Sequence, residues 1–459
     1  MSVSVGPSAI TTGPRQFHGR WWVAGEPDVK AGGILSVPPG GDSSELRLLG
    51  GFPLKERGEL TIVGDTIECG PVTISKAILR NRTTRRGAPL SETYLALGVL
   101  LGGALPSGSD STFTRASLET RLLTPWTAEP RPEYREDGRL LSIEVTDPEA
   151  LTCSIPGLGD IALWWPRSEN WGATNFAANY HAEFVLEAPD GKTPDETWQE
   201  FVSPMLFFTT LLTGQVDSVA RVVYMFPPGE TDLSRVEEIP PGWATDVAAG
   251  TGYEGDGAID FGVFSDRFGE MLTSWFEHYQ LAESALIAFF SSMLKPSAYI
   301  EEDFSRVVRA LEVWHRAVRG GTYLPESEFE SVMSKVKATF HGREKEFLVM
   351  RLKFGNERTL RQRLESVLET AGPTVQTFLA EFPDFAQQVV QTRNALAHRA
   401  EIGEAFDHRG LSYAKDLLWL AMRANLLRTV GLSEAEVERA VRSSREWQWL
   451  RSAENPLGR

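Results

Sequence analysis

Cysteine is nearly absent. The 459-residue chain holds only Cys69 and Cys153, 84 positions apart, which excludes a disulfide-stapled scaffold and a cysteine-rich zinc site. It also lacks a surplus of base: 46 Lys and Arg stand against 62 Asp and Glu, a net charge of −16, so a coat of general nucleic-acid affinity is excluded. Long apolar runs are missing too. The nearest approach to a membrane-spanning stretch, Tyr94 to Leu105, is interrupted by Gly98, Gly102 and Gly103. Met1 to Gln16 has neither the basic start nor the apolar core of a secretory signal, so the sequence predicts a cytoplasmic protein without a membrane partner. No internal repeat or low-complexity tract is evident. What is present is ordinary globular material, 42% hydrophobic and 10% aromatic, long enough for two or three domains.

The acidity is unevenly placed. Residues 301–459 carry 24 basic and 23 acidic side chains, whereas residues 1–300 carry 22 and 39, so a polyanion would meet the C-terminal part. The local patterns divide in the same way. After an N-terminal tail (1–16), short apolar runs punctuated by Gly, Pro, Asn and Asp predict strands at 19–24, 33–37, 45–49, 60–63, 72–79, 93–97, 117–123 and 140–145. A helix opened by Asp195-Glu196 and a strand at 219–226 follow. The Pro- and Gly-rich stretch from Pro227 to Phe261 reads as a linker. From residue 267 the period becomes helical: 267–294, 300–319, 325–340, 343–371, 383–400, 411–430 and 433–452. The expected fold is an α+β multidomain protein, a sandwich-like β-rich domain over 17–260 and an all-α bundle over 261–459.

Several signals are weak. Gly250-Thr251-Gly252-Tyr253-Glu254-Gly255 matches a dinucleotide fingerprint, but no strand precedes it and acidic residues crowd the supposed phosphate, so a linker is the better reading and no cofactor is expected. Among seven histidines none has the i, i+4 partner of a helical metal site, and no metal is expected. Glu312 and His315 share a helical face and stand as auxiliary site candidates beside a structural reading of the same pair. Trp21-Trp22 and Trp164-Trp165 could stack on a ligand; because neighbours on a strand face opposite ways, one buried Trp in each pair is the plainer account.

The informative segment runs from Pro383 to His398. At about 100° per residue from Phe385, Leu396, Val389, Ala386, Ala397 and Val390 fall between about 20° and 140°, an apolar arc. Arg393 lies at about 80°, inside that arc, while Asn394 and His398 fall one turn apart on its flank. A guanidinium there either snorkels to water or waits for an anion brought by another helix, another subunit or a ligand. Arginine grips phosphate bidentately, imidazole moves protons near neutral pH, and an amide orients without changing charge. Those groups suffice to cleave an RNA phosphodiester through its own 2′-hydroxyl.

Arg393-Asn394-Ala395-Leu396-Ala397-His398 resembles the Arg-Asn-x-x-x-His motif of HEPN-domain ribonucleases. Leu311-Glu312-Val313-Trp314-His315-Arg316 and the N-terminal Phe17-His18-Gly19-Arg20-Trp21-Trp22 resemble stretches of the ApeA-type anti-phage branch. The resemblance implies a metal-independent endoribonuclease, homodimeric or of higher order through its HEPN domain, with Arg393, Asn394 and His398 catalytic. It further implies abortive defence by cutting host RNA, with tRNA the favoured substrate, and an N-terminal domain that senses a phage-derived trigger or restrains the nuclease. Two other readings stay open: a non-catalytic HEPN module binding nucleotide, RNA or a partner, and a carbohydrate- or ligand-binding β-domain with a helical dimerisation tail.

Overall fold

The computed structural model describes residues 15–38, 44–52, 58–83, 90–105, 108–127, 133–137, 140–144, 147–171, 176–226, 235–241, 244, 255–398 and 406–452. Two compact units divide it: a β-rich unit ending at Gly255 and including Ile259–Thr273, and a helical unit made of Asp256–Ala258 and Ser274 onward.

Six strands of the first unit close into a ring: β1 (Arg15–Val23), β2 (Ala31–Val37), β3 (Ser44–Leu49), β4 (Glu59–Thr66), β5 (Gly70–Thr83) and β6 (Ser91–Leu101). Every pairing is antiparallel, in the order β3-β2-β1-β4-β5-β6, and the pairing of β3 with β6 completes the circuit. Alternate residues fill the interior, among them Phe17, Trp21, Leu35, Leu46, Leu48, Tyr94 and Ala96. Trp21 is fully buried and Trp22 is not, as strand alternation requires. Gly64 is pressed against the Trp21 indole, where a Cβ would stand 2.3 Å from the ring.

From β6 the sheet continues through β16 (Val236–Ile239), β15 (Val219–Met225), β7 (Phe113–Thr120), β14 (Glu183–Lys192), β11 (Gly159–Trp164) and β10 (Leu151–Ile155). Residues 91–96 of β6 pair with β3, and residues 99–101 pair with β16 on the same edge. Gly98, at φ +65°, stands where the partner changes. Two small hairpins, β8 (Glu133–Asp137) with β9 (Leu140–Glu144) and β12 (Arg167–Trp171) with β13 (Phe176–Tyr180), lie apart from this sheet. The β-rich expectation therefore holds, with a ring and an attached sheet as its form. β16 is a correction, since it forms inside the stretch read as linker; residues 227–234, 242–243 and 245–254, including most of the glycine fingerprint, lie outside the described residues.

Helix α1 (Leu123–Thr127) is short. The helix opened by Asp195-Glu196 is α2 (Pro194–Thr197), capped by a Thr193/Glu196 box, which runs through a π-helical turn at Trp198–Val202 into α3 (Ser203–Thr213). Helix α4 (Phe261–Asp266) belongs to the β-rich unit. Its Phe261 and Phe264 rings lie 5.7 and 5.0 Å from Trp126, and Phe261 lies 5.9 Å from the buried Trp165. The break between units accordingly falls inside α5 (Phe268–Leu294) rather than at residue 261.

In the helical unit, α6 (Ile300–Arg319) has the limits its sequence predicts. Glu301, Glu302 and Asp303 sit at its positive end, Arg316 and Arg319 at its negative end, and Gly320 at φ +78° stops it. Then follow α7 (Glu326–Thr339), α8 (Gly342–Leu352), α9 (Leu360–Glu369), α10 (Pro373–Leu379), α11 (Phe385–His398), α12 (His408–Thr429), α13 (Glu434–Ser443) and α14 (Arg445–Ser452). Two expected single helices split into separate ones, and a third, 267–294, is kinked in α5 at the non-helical Ala282. The span 343–371 splits into α8 and α9, where Thr359 and Gln362 form a capping box; 433–452 splits at Ser444, whose backbone is extended. The hub is α12, in which every side chain from Leu417 to Leu427 is buried, and it packs against α6, α9, α10, α13 and α14.

Candidate ribonuclease site

Helix α11 starts after a tight turn in which the Phe385 N–H reaches the Phe382 carbonyl at 3.0 Å. Its first half is anchored: Phe385, Ala386 and Val389 are buried, and Phe385 lies 6.2 Å from Phe406, which meets Phe304 of α6 at 6.4 Å. Thr392, fully buried, accepts the Phe406 N–H at 3.1 Å and so ties the returning chain to the helix. The second half is less covered. Val390, Ala395 and Leu396 are half-buried and Ala397 is exposed, so among the described residues the apolar arc is less covered as it approaches His398.

Arg393 is partly buried on this half, and its Nη1 donates to Asn394 Oδ1 at 3.2 Å. Among the described residues no carboxylate lies within ion-pair distance of it. The helix thus presents a cation that no described carboxylate neutralises, held beside an amide on a partly exposed apolar strip. His398 is the last residue of α11, about 6 Å along the axis from Asn394; its side chain lies outside the described residues.

Glu312 and His315 lie on α6, against which α11 packs. His315 is fully buried, with no partner for either ring nitrogen among the described residues. Burial first, then the charges of Arg363, Arg319 and Arg358, push its pKa down to about 4, so the ring is uncharged at neutral pH. Glu312 pairs with Arg316 at 3.6 Å. No described contact joins either residue to Arg393 or Asn394.

The same end of α6 holds a polar clamp that sequence reasoning missed. Arg319 donates to the Ser366 carbonyl at 2.9 Å, to Thr370 Oγ1 at 2.8 Å and to Asn425 Oδ1 at 2.7 Å. Buried Asn425 also accepts from Thr370 at 2.7 Å and donates to the Val367 and Ala421 carbonyls. Arg423 and Asn425, two polar residues within the apolar run from Leu417 to Leu427, were the available signal.

Two further clusters, in the β-rich unit, had no sequence pattern to announce them. The ligand-type atoms of Glu119, His181 and Glu183 lie within 4.8 Å of one another. Arg221 already shares Glu119, at 3.4 Å, and burial raises the Glu183 carboxyl. Glu238 on β16 is buried, accepts from Trp198 Nε1 at 2.7 Å and from the Tyr224 hydroxyl, and is pushed by burial up to about 7. A cavity of about 290 Å³ lined by Thr127, Leu151, Trp165, Phe261 and Ser265 takes in one Trp of the Trp164-Trp165 pair, but not Arg393, Asn394, His398, Glu312 or His315.

Residues 16–234 match the family model described as ApeA N-terminal domain 1, and residues 306–436 match Apea-like HEPN, together about three quarters of the chain. The chain belongs to the ApeA-like proteins with a C-terminal HEPN domain. The HEPN match contains Arg393, Asn394 and His398 as well as Glu312 and His315. ApeA-like HEPN membership supports a nuclease of anti-phage defence, and HEPN domains commonly act on RNA and dimerise. No curated protein and no solved structure matches the chain significantly. Among the described residues no helix is long and apolar enough to cross a membrane.

Proposed function

We propose that this ApeA-like HEPN protein is an endoribonuclease whose site is built on the second half of α11. His398 takes the proton of a ribose 2′-hydroxyl, the 2′-oxygen attacks the adjacent phosphorus, and the 5′-oxygen leaves with a proton from an acid in the same cleft. Arg393 stabilises the negative charge that builds on the non-bridging oxygens, and Asn394 orients His398 or the phosphate. The products are a 2′,3′-cyclic phosphate and a 5′-hydroxyl. Acid–base help and charge stabilisation are all this scheme uses, so it runs in EDTA.

One observation carries the reading: a partly buried arginine, bonded to Asn394 and to no described carboxylate, on an apolar strip that stays partly exposed among the described residues. A second copy brought against that strip would place two Arg/His sets on one cleft. Host RNA, with tRNA the favoured class, is the substrate, and the β-rich unit answers to a phage-derived trigger.

End-group analysis of RNA from cells making the parent protein or His398→Ala tests the proposal. The parent is expected to leave cyclic-phosphate and 5′-hydroxyl ends, and His398→Ala to lower cleavage about 10²- to 10⁴-fold. If the purified variant cuts RNA in EDTA as fast as the parent, the assignment is wrong. If neither protein cuts any RNA yet both bind it equally, the domain is a binding module.

A further inference from the structure

Residues 325–355 form an arm. At its base the chain is clamped: the Tyr323 N–H meets the Asn356 carbonyl at 2.7 Å, Asn356 Oδ1 accepts from the Leu324 N–H at 2.8 Å, and the Arg358 N–H meets the Gly321 carbonyl at 2.9 Å. Beyond this clamp α7 and α8 pack on each other, and neither helix contains a single buried residue. Large apolar side chains nevertheless lie open, with Phe347 54%, Met350 65% and Phe354 67% exposed.

The charge on the arm is mostly basic. Glu326, Glu328 and Glu330 open α7, whereas from Ser331 to Gly355 there are Lys335, Lys337, Arg343, Lys345, Arg351 and Lys353 against only Glu344 and Glu346. None of those six cations has a carboxylate within ion-pair distance among the described residues. In a chain of net charge −16, this is a local basic surface free to meet phosphates.

The arrangement around α8 narrows the partner. Setting Lys345 to zero at about 100° per residue, the half-buried Leu348, Val349 and Leu352 cluster within about 60° of it, facing α7. Arg343, Phe347, Met350 and Arg351 fall together on the opposite side, between about 140° and 240°. The Arg351 guanidinium lies 5.5 Å over the Phe347 ring and the Lys353 ammonium 5.4 Å over Phe354. A helix that lies in a lipid surface segregates its apolar face from its charges, and here they are interleaved. A second copy of the same tip would bring like charges together. A strand that offers a phosphate and a base in alternation fits such a face, the guanidinium taking the phosphate and the free face of the ring taking the base.

We infer that the α7–α8 arm is an RNA-binding element that grips unpaired nucleotides of the substrate. This rests on the ribonuclease reading for its biological meaning, and its test does not depend on cleavage. Binding of labelled oligouridylate and labelled bulk tRNA is measured with full-length His398→Ala protein across a salt series. Adding Arg343→Glu and Arg351→Glu is expected to weaken binding at least tenfold at 0.1 M salt and to flatten the log–log salt slope by about 1.4, some 0.7 for each phosphate no longer neutralised. Phe347→Ala is expected to cost at least fivefold with the slope unchanged, the signature of missing base stacking. Glu344→Lys, a gain-of-charge change on an exposed residue, is expected to tighten binding. Unchanged affinity and slope in all three overturn the inference. So does arm-dependent pelleting with phosphatidylglycerol vesicles while RNA affinity stays the same, or a fall from dimer to monomer by light scattering without loss of RNA binding. If the parent cuts no RNA but arm-dependent binding is found, the nuclease reading fails and this one stands; cleavage with arm-independent binding gives the reverse.

Discussion

Acid should loosen the helical unit through one buried imidazole. His278 is 5% exposed, and its Nε2 accepts the Trp314 indole N–H at 2.7 Å, so the ring is neutral at that nitrogen. Burial lowers its pKa from 6.5 to about 4. The folded chain therefore resists a proton that the unfolded chain takes up below pH 6.5, and stability falls as pH drops from 6.5 toward 4. Full linkage over that shift gives about 2 kcal/mol lost between pH 7 and pH 5; discounting for solvent that reaches the site leaves about 1 to 2 kcal/mol. His315, lowered to about 4 chiefly by burial, acts in the same direction. The perturbation is His278→Gln, which keeps an acceptor for Trp314 but cannot charge. Because the two units need not unfold together, urea unfolding is best read by pulsed hydrogen exchange of peptides from residues 300–319. The variant should start less stable at pH 7, and its deficit should shrink by about 1 to 2 kcal/mol at pH 5. A deficit that stays constant across that range refutes the linkage.

Two further outcomes follow from the geometry. Asn425→Leu removes the amide that joins Arg319, Thr370 and two backbone carbonyls, and should cost about 2–4 kcal/mol in the same unfolding assay, since the groups left behind are buried. Leu396→Glu puts a charge on the uncovered part of the α11 strip; light scattering should show the expected dimer dissociating, and RNA cleavage should fall with it.

The sequence revealed what is local and repeated. Helix α6 could be delimited from its acidic first turn and Gly320, and Trp21 and Trp22 could be divided between core and surface because strand neighbours face opposite ways. The breaks within 343–371 and 433–452 were missed although Thr359 with Gln362 announces the start of α9; apolar periodicity carries across a short turn and hides the cap. Ring closure was beyond reach, because it depends on Ser44 finding Ala96. The helical angles put Arg393 inside the apolar arc of α11, and it is partly buried there beside Asn394. That no described contact joins Glu312 or His315 to either residue was not legible, since one helix face says nothing about which end of it a neighbour crosses. The arm's helices were legible as periodic segments, but period alone cannot tell a covered face from an open one.

β6 belongs to both parts of the β-rich unit: β5 runs along one edge, while β3 and then β16 share the other. Peeling the ring from the sheet would mean unzipping a strand held on two sides, so the pair should melt in a single step rather than in sequence. Glu238, paired with Leu100 across that shared seam, is where a shift of β6 in the circle of six strands should be read out.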